Sequence, residues 1–512
     1  MPRFLHSFFR AHCVLTRQSL LRLLVFKRPA FTLLALALLI TNCTKKEDFS
    51  LPGPDSIKET GINSWILNNM EYYYYWNNRI PEGVDTSPAP PAFFSSLLVP
   101  EDRFSVMVEK IETPRSQSLL YEVGVTADDP GFEYQYVYLS SISRILGQVL
   151  YVKEGTPAWN AGLKRGDLYW KVDETPLNYL NYYSLIESKG NSFRLTLLNK
   201  ERLALGVQAD EKTLQITKTD YLADNPIALD TIYRLPEGNA GYLVYHFFAP
   251  GHSGGSATFD NELNQIFKRF REQEVSAVIL DLRYNRGGYE SSAKVLSSLL
   301  VPNLSDELIF SKKKYNQTYS ADLKRYYATD TEGYFVDYFV TRANGVMLEN
   351  LNKADAVLYV LTTSSTASAG ELVINSLKVY MDVVIIGETT VGKNMGSITL
   401  TQDENRDNPW EMHPLVVKVF NAQGESDYAG GFAPQTAISE ELLLYPYGDI
   451  RDPLLAEALD RISPLADLES ETSLPRSVKS QPLQRLSSSV NNREALLYIE
   501  KAPTSDRDTY FR

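Results

Sequence analysis

Apolar positions recur along this chain with two periods. From Phe259 to Gln273 they fall at three- and four-residue steps, which predicts an amphipathic helix. Gly241 to Phe247 and Val275 to Leu282 are short apolar runs that predict strands, and Ser291 to Leu300 predicts the next helix. Two further apolar strands, Ala356 to Leu361 and Val383 to Ile386, flank a helical pattern carried by Leu372, Val373, Leu377 and Tyr380. Strands alternating with helices across residues 225–463 imply an α/β region with a mixed, largely parallel sheet.

Outside that region the pattern changes. Residues 57–118 read as a small helical N-terminal domain, aromatic from Tyr72 to Trp76 and interrupted at Pro81 and Pro88 to Pro91. Residues 119–206 read as a β-rich domain. Tyr121 to Val125 alternates, and Gly147 opens a strand that ends in Gly155-Thr156-Pro157. A short Ala-containing helix then closes at Gly162, and further strands follow Gly166-Asp167 and span Phe193 to Leu198. Residues 44–56 are polar with Pro52 and Pro54, a tether, and residues 467–512 are rich in Ser, Pro and charge, which predicts a disordered tail.

The 512 residues suffice for two to four domains. With 51 basic against 63 acidic side chains the net charge is −12, which argues against nucleic acid as a partner. Both cysteines, Cys13 and Cys43, lie at the start, so the body holds no disulfide or cysteine metal site. The histidines, His6, His12, His246, His252 and His413, show no metal-ligand spacing, and neither metal nor cofactor is expected. Arg28, the apolar run Phe31 to Ile40 and Thr41-Asn42-Cys43 read as an export signal over 1–43. The run is shorter than the ~20 apolar residues of a membrane span. Cys43 resembles the lipid-attachment cysteine of bacterial lipoproteins. It implies an envelope protein held to a membrane by a lipid anchor and facing the periplasm or the exterior.

The candidate chemistry lies around the helix that follows Ala356 to Leu361. Ser368 stands at a strand-to-helix turn, near the free N–H groups of a helix start, and Lys393 follows the next strand in a glycine-bounded loop. A desolvated lysine beside a serine can act as its base. The competing readings are structural. A serine before a helix is commonly an N-cap, a loop lysine is commonly solvated, and Gly287-Gly288 after a strand is commonly a turn. His246 or His252 could join a Ser–His arrangement, although no acid partner is placed by motif. The segment Gly387 to Asn394 nearly fits a phosphate-binding loop. It lacks the hydroxyl after Lys393, and the residues that follow alternate like a strand.

Five ordered signals together resemble the carboxyl-terminal processing (tail-specific) serine proteases, relatives of the tricorn core protease. They are the run Gly155 to Asp173, which resembles a PDZ domain; Asp281 to Gly288; Thr366-Ala367-Ser368-Ala369-Gly370-Glu371; Gly392-Lys393; and Gly430-Gly431-Phe432-Ala433-Pro434. The resemblance implies Ser368 as nucleophile and Lys393 as general base. It implies an oxyanion hole from the N–H groups of Ala369 and Gly287, with Gly288 permitting close approach. It also implies a PDZ domain that takes a peptide end near Val123 and Gly124. Two departures stand out, since Ser397 replaces a glutamine and Val379 an acidic residue common in the family. The residue orienting Lys393 is then sought in Ser397 or Glu371. The implied function is a serine endopeptidase acting on polypeptides whose C-terminal ends the PDZ domain senses. The alternatives are a catalytically inactive peptide-binding lipoprotein and a hydrolase or hydratase of small acyl compounds.

Overall fold

Val275–Asp281 and Val357–Thr362 form the centre of a six-stranded sheet. Its order is Ile227–Tyr233, Asn239–Tyr245, Val275–Asp281, Val357–Thr362, Asp382–Gly387, Thr436–Ala437. The first pair is antiparallel and every later pair parallel, so the sheet is mixed and largely parallel as its sequence pattern predicts. Such a sheet is stable when both faces are covered. Leu243, Tyr245, Val278, Leu280, Leu358 and Val360 point to one face, under the helices Thr258–Glu272, Glu290–Leu300 and Ala369–Leu377. Tyr242, Val244, Ile279 and Leu361 point to the other, under Leu454, Leu455 and Leu459 of the helix Pro453–Ile462. Each buried large side chain contributes about 1.5–3 kcal/mol. The amphipathic helix is Thr258–Glu272. It buries Phe259, Leu263, Ile266, Phe267 and Phe270 and places Arg269 and Arg271 at its negative end.

The computed structural model describes residues 61–110, 125–204, 207–252, 256–324, 332–402, 405, 407–464 and 483–499. The lipidation candidate Cys43 and the peptide-binding candidates Val123 and Gly124 lie outside these residues, as do the export signal and the tether. Among the described residues no helix is long and apolar enough to cross a membrane.

The N-terminal helices Ile62–Tyr73 and Pro90–Ser96 have no separate core. Ile66, Met70, Tyr74, Phe93 and Phe94 belong to the same apolar cluster as Leu280 and Leu372. The β-rich region does have its own cluster, built from Phe132, Tyr136, Val149, Ala158, Leu163, Tyr169 and Phe193. Its short helix Pro157–Asn160 starts with proline at its first turn, and the Thr156 hydroxyl accepts the Trp159 N–H as an N-cap. A buried ion network joins this region to the α/β sheet. Arg283 pairs with Asp281, Asp452 and Glu440 at 2.6, 2.7 and 3.2 Å, and Arg165 reaches Glu440 at 2.8 Å.

Part of the expected disordered tail is ordered. Residues Leu483–Ser488 form a strand, Ser489–Asn492 a helical turn and Leu496–Tyr498 a second strand. The physical reason is a short apolar run, Ala495 to Ile499, inside a polar composition. Ala495, Leu497, Tyr498 and Ile499 of that run are buried. Leu483–Ser488 adds antiparallel to the edge strand Phe132–Leu139 of the β-rich sheet. Leu496–Tyr498 enters a second six-stranded sheet, in the order Gly287–Tyr289, Leu496–Tyr498, Met395–Ser397, Leu415–Phe420, Ile309–Tyr315, Phe335–Tyr338.

Candidate active site

The chain leaves the strand Val357–Thr362, turns through Thr363 to Ala367, and enters the helix Ala369–Leu377 with Ser368 at the N-cap. The turn is held by Thr366, whose hydroxyl donates to the Leu282 carbonyl at 2.8 Å, and by the Ala367 N–H, which donates to the Asn285 carbonyl at 2.9 Å. Ser368 itself adopts φ 57° and ψ −111°. A non-glycine residue in so sparsely populated a region costs on the order of 1–3 kcal/mol and points to a functional constraint. Its buried hydroxyl has no partner within hydrogen-bond limits among the described residues. Ser368 and Glu371 are placed as a capping box, in which the Glu371 carboxylate accepts the Ser368 N–H, and capping alone does not account for the strained backbone.

Lys393 lies in the loop between Asp382–Gly387 and Met395–Ser397. Glu371, in the first turn of the Ser368 helix, ties the two loops together. Its Oε2 accepts the N–H of Ser368 and the N–H of Lys393, each at 2.8 Å. Its Oε1 accepts the Gly392 N–H at 2.6 Å and the Thr390 hydroxyl at 2.5 Å. Burial pushes the Glu371 carboxyl above the ordinary carboxylate range, while the bonds from Thr390, Lys393, Ser368 and Gly392 oppose that rise. In the loop that resembles a phosphate cradle, the N–H groups of Gly392 and Lys393 are thus occupied by a carboxylate, and those of Glu388, Thr390 and Val391 by main-chain carbonyls. The loop continues into a strand, not the helix that phosphate binding requires. The closing segment packs on this loop. A Cβ on Gly392, at φ 89°, would lie 2.4 Å from the Ala429 carbonyl oxygen, and the Phe432 N–H donates to the Thr390 hydroxyl at 2.8 Å.

The Lys393 side chain is buried, with the Phe104 ring centroid 5.6 Å from its amine. Desolvation lowers its pKa to about 8. The carboxylates of Glu494, Asp102 and Glu371 work against that shift, and the Arg286 guanidinium works with it. The amine donates to the Ala495 carbonyl. The two residues considered for orienting it are both nearby through main-chain bonds. Glu371 holds the Lys393 main chain, and the Ser397 carbonyl accepts the Ile499 N–H at 3.1 Å.

The glycine strand meets the site through Asn285. Asn285 Oδ1 accepts the Gly287 N–H at 2.8 Å, and its amide donates to the Tyr245 carbonyl at 2.8 Å. The Gly287 N–H is therefore occupied in the resting structure. A side chain two residues back closes an Asx turn on it. Ala369, the first residue of the helix, presents one of the N–H groups that a helix start leaves without an intrahelical acceptor. Gly288, at φ 138°, lies so close to the neighbouring chain that a Cβ would sit 2.1 Å from the Phe248 carbonyl oxygen. Gly288→Ala should lower stability by more than ~1 kcal/mol, read as a shift in the denaturation midpoint. An unchanged midpoint would contradict the close approach.

His246 is a structural residue. It stacks on Tyr151 with centroids 3.8 Å apart, Nε2 meets the Tyr447 hydroxyl at 3.1 Å, and burial holds its pKa well below the usual value. Sequence reasoning missed Asn285, Asp102 and Phe104, and also His413. His413 sits between Glu411 at 2.6 Å and Glu494 at 2.7 Å, and these carboxylates raise its pKa to about 9. An Asn-Arg-Gly turn after an apolar strand was the one available signal for Asn285. The others are tertiary neighbours with no motif. Among the described residues no group of His, Asp and Glu is arranged to ligate a metal.

Residues 239–434 match the profile of Peptidase family S41, and residues 61–106 match the Peptidase S41 N-terminal domain. The chain is 28 % identical over 256 residues to a chloroplastic C-terminal processing peptidase of Tetradesmus obliquus, covering 48 % of each protein. It is 25 % identical over 296 residues to the carboxy-terminal processing protease CtpA of Bacillus subtilis, covering 56 % of this chain and 53 % of that one. The chain thus spans about half the length of the curated relatives it matches. A candidate S41 protease from Bacteroides fragilis has a crystal structure that superimposes with a TM-score of 0.65 at 26 % identity. The match covers 79 % of this chain and 98 % of that one. The matched profiles take in the strand-to-helix turn at Ser368, the Lys393 loop, the glycine strand and the N-terminal helices, and over these segments the chain is similar to peptidase family S41.

Proposed function

We propose that this protein is a serine endopeptidase in which Ser368 attacks a peptide carbonyl and Lys393 serves as general base. The observation that carries the reading is the Glu371 carboxylate, which accepts the main-chain N–H of both residues and so ties the turn of a strained serine to the loop of a desolvated lysine. Neutral Lys393 takes the proton from Ser368 Oγ as the new C–O bond forms. It returns that proton to the departing amine when the C–N bond breaks, and water then releases the acyl group. The oxyanion falls to the Ala369 N–H, joined by the Gly287 N–H once the latter exchanges its Asn285 bond for the developing charge. A donor of this kind is worth about 3 kcal/mol of transition-state stabilisation.

The β-rich region is read as the PDZ domain that meets the end of a polypeptide substrate. Its support is the strand Leu483–Ser488 added to the edge strand Phe132–Leu139, the mode by which such domains take extended peptides. Anchoring through Cys43 to an envelope membrane completes the proposal and rests on the N-terminal sequence alone.

The pH dependence tests the base. Lys393 with its pKa lowered to about 8 is protonated at lower pH and cannot accept the Ser368 proton. kcat/KM on an unfolded protein such as casein should therefore rise through a single ionisation near that pH and level off above it. A profile that is flat across the range, or that rises only where an ordinary lysine titrates, ~10.4, would sink the assignment.

A further inference from the structure

The second sheet has a gap one strand wide that the chain fills with its own C-terminal segment. One wall is Gly287–Tyr289, the strand of the candidate oxyanion glycines. The other is Met395–Ser397, which begins two residues after Lys393. Leu496–Tyr498 lies between them and is parallel to both. The Ala495 carbonyl accepts the Lys393 amine, and Ser368 and Lys393 are only 0 % and 1 % exposed with the segment in place. Separate contacts hold the rest of the segment. Arg485 pairs with Glu388 at 2.7 Å, Arg493 pairs with Glu133, Asn491 Oδ1 accepts the Ser365 hydroxyl at 2.8 Å, and Glu494 meets His413 at 2.7 Å.

We infer that residues 483–499 are a pseudosubstrate: a built-in strand that occupies the polypeptide slot of the active site and holds it shut until a substrate strand replaces it. The inference rests on the peptidase reading above. It adds that substrates enter as an extended strand running parallel to Gly287–Tyr289. The segment sits uncut because the base is engaged elsewhere. The Lys393 amine donates to the Ala495 carbonyl, and the Ser368 hydroxyl is left without an acceptor for its proton. Main-chain pairing on both sides makes the slot tolerant of sequence, as strand addition generally is, with the buried Leu497 side chain as the apolar anchor.

The test uses the full chain. Leu497→Asp places a charge in an apolar site and should expel the strand, while Arg485→Ala combined with Arg493→Ala loosens it without touching the slot. Both should raise kcat/KM on casein at least tenfold. A synthetic peptide of residues 483–499 should inhibit both variants competitively, raising KM with kcat unchanged. Hydrogen exchange gives a readout independent of activity. The amides of residues 496–499 should be protected in the wild-type chain and exposed in Leu497→Asp. Equal turnover in all chains, despite exposed amides in the variants, overturns the inference and leaves the peptidase reading intact. Unprotected amides in the wild-type chain overturn it as well. So does wild-type cleavage at Ala495–Leu496, which would make the segment a substrate. Hydrolysis by none of the chains removes the peptidase reading and the inference with it.

Discussion

Ser368→Ala is expected to reduce casein hydrolysis to the uncatalysed background, and Lys393→Ala to fall to nearly the same level. The effect is large because neither residue works alone. Without the hydroxyl there is no nucleophile, and without the amine the hydroxyl keeps its proton. Residues that act as one unit lose catalysis non-additively, with single losses that can reach on the order of 10⁶. The double variant should therefore be no slower than the worse of the two single variants. Both should fold. Ser368 makes no side-chain hydrogen bond in the resting state, and removing the buried Lys393 amine frees only the Ala495 carbonyl. The measurement is turnover in the Leu497→Asp chain, with circular dichroism as the folding control. Lys393→Ala activity within tenfold of its parent would remove the lysine from the mechanism.

Glu371→Ala should be nearly as damaging, and to stability as well as rate. The carboxylate is fully buried and accepts four donors, from Ser368, Thr390, Gly392 and Lys393. An unsatisfied buried donor costs about 1–3 kcal/mol. Even with partial relaxation, a loss of about 3–5 kcal/mol is expected from four such groups. Catalysis falls separately, because the serine turn and the lysine loop lose their common tether, and displacement of about 1 Å costs on the order of 10²-fold. Glu371 is a positioning residue, so the loss should appear in kcat with KM little changed. Glu371→Gln keeps one acceptor oxygen but turns an NH₂ toward main-chain donors, so it should recover only part of the stability. A Glu371→Ala chain with wild-type kcat and midpoint would show that the tether is dispensable.

The sheet of the α/β region was legible because both periods were strong. Uninterrupted apolar strands such as Val275–Asp281 need two covered faces, and the helix Thr258–Glu272 advertises its buried stripe at every turn. Ser368 and Lys393 were legible through spacing and neighbouring glycines, and Glu371 was in view as a possible orienting side chain. Its task was not legible. A carboxylate that accepts two main-chain N–H groups from separate loops leaves no pattern beyond its place in the first helical turn. Asp102 and Phe104 reach the lysine from a segment far away in sequence. The ordered tail was hidden by averaging, since a polar, Ser-rich composition outweighed the five residues Ala495 to Ile499, whose order depends on a slot supplied by two other strands. The N-terminal helices were legible as helices but not as part of the central core, because amphipathicity does not say which partner it faces.

The most direct measurement is the position of a covalent adduct. The full-length Leu497→Asp chain is treated with a fluorophosphonate, digested, and the modified peptide identified by mass spectrometry. The expected result is a single adduct on Ser368 whose rate of formation rises through one ionisation below that of an ordinary lysine, ~10.4, and that is lost in Lys393→Ala. An adduct on a neighbouring hydroxyl such as Ser365, or Ser368 labelling that persists at the same rate without the lysine, would contradict it.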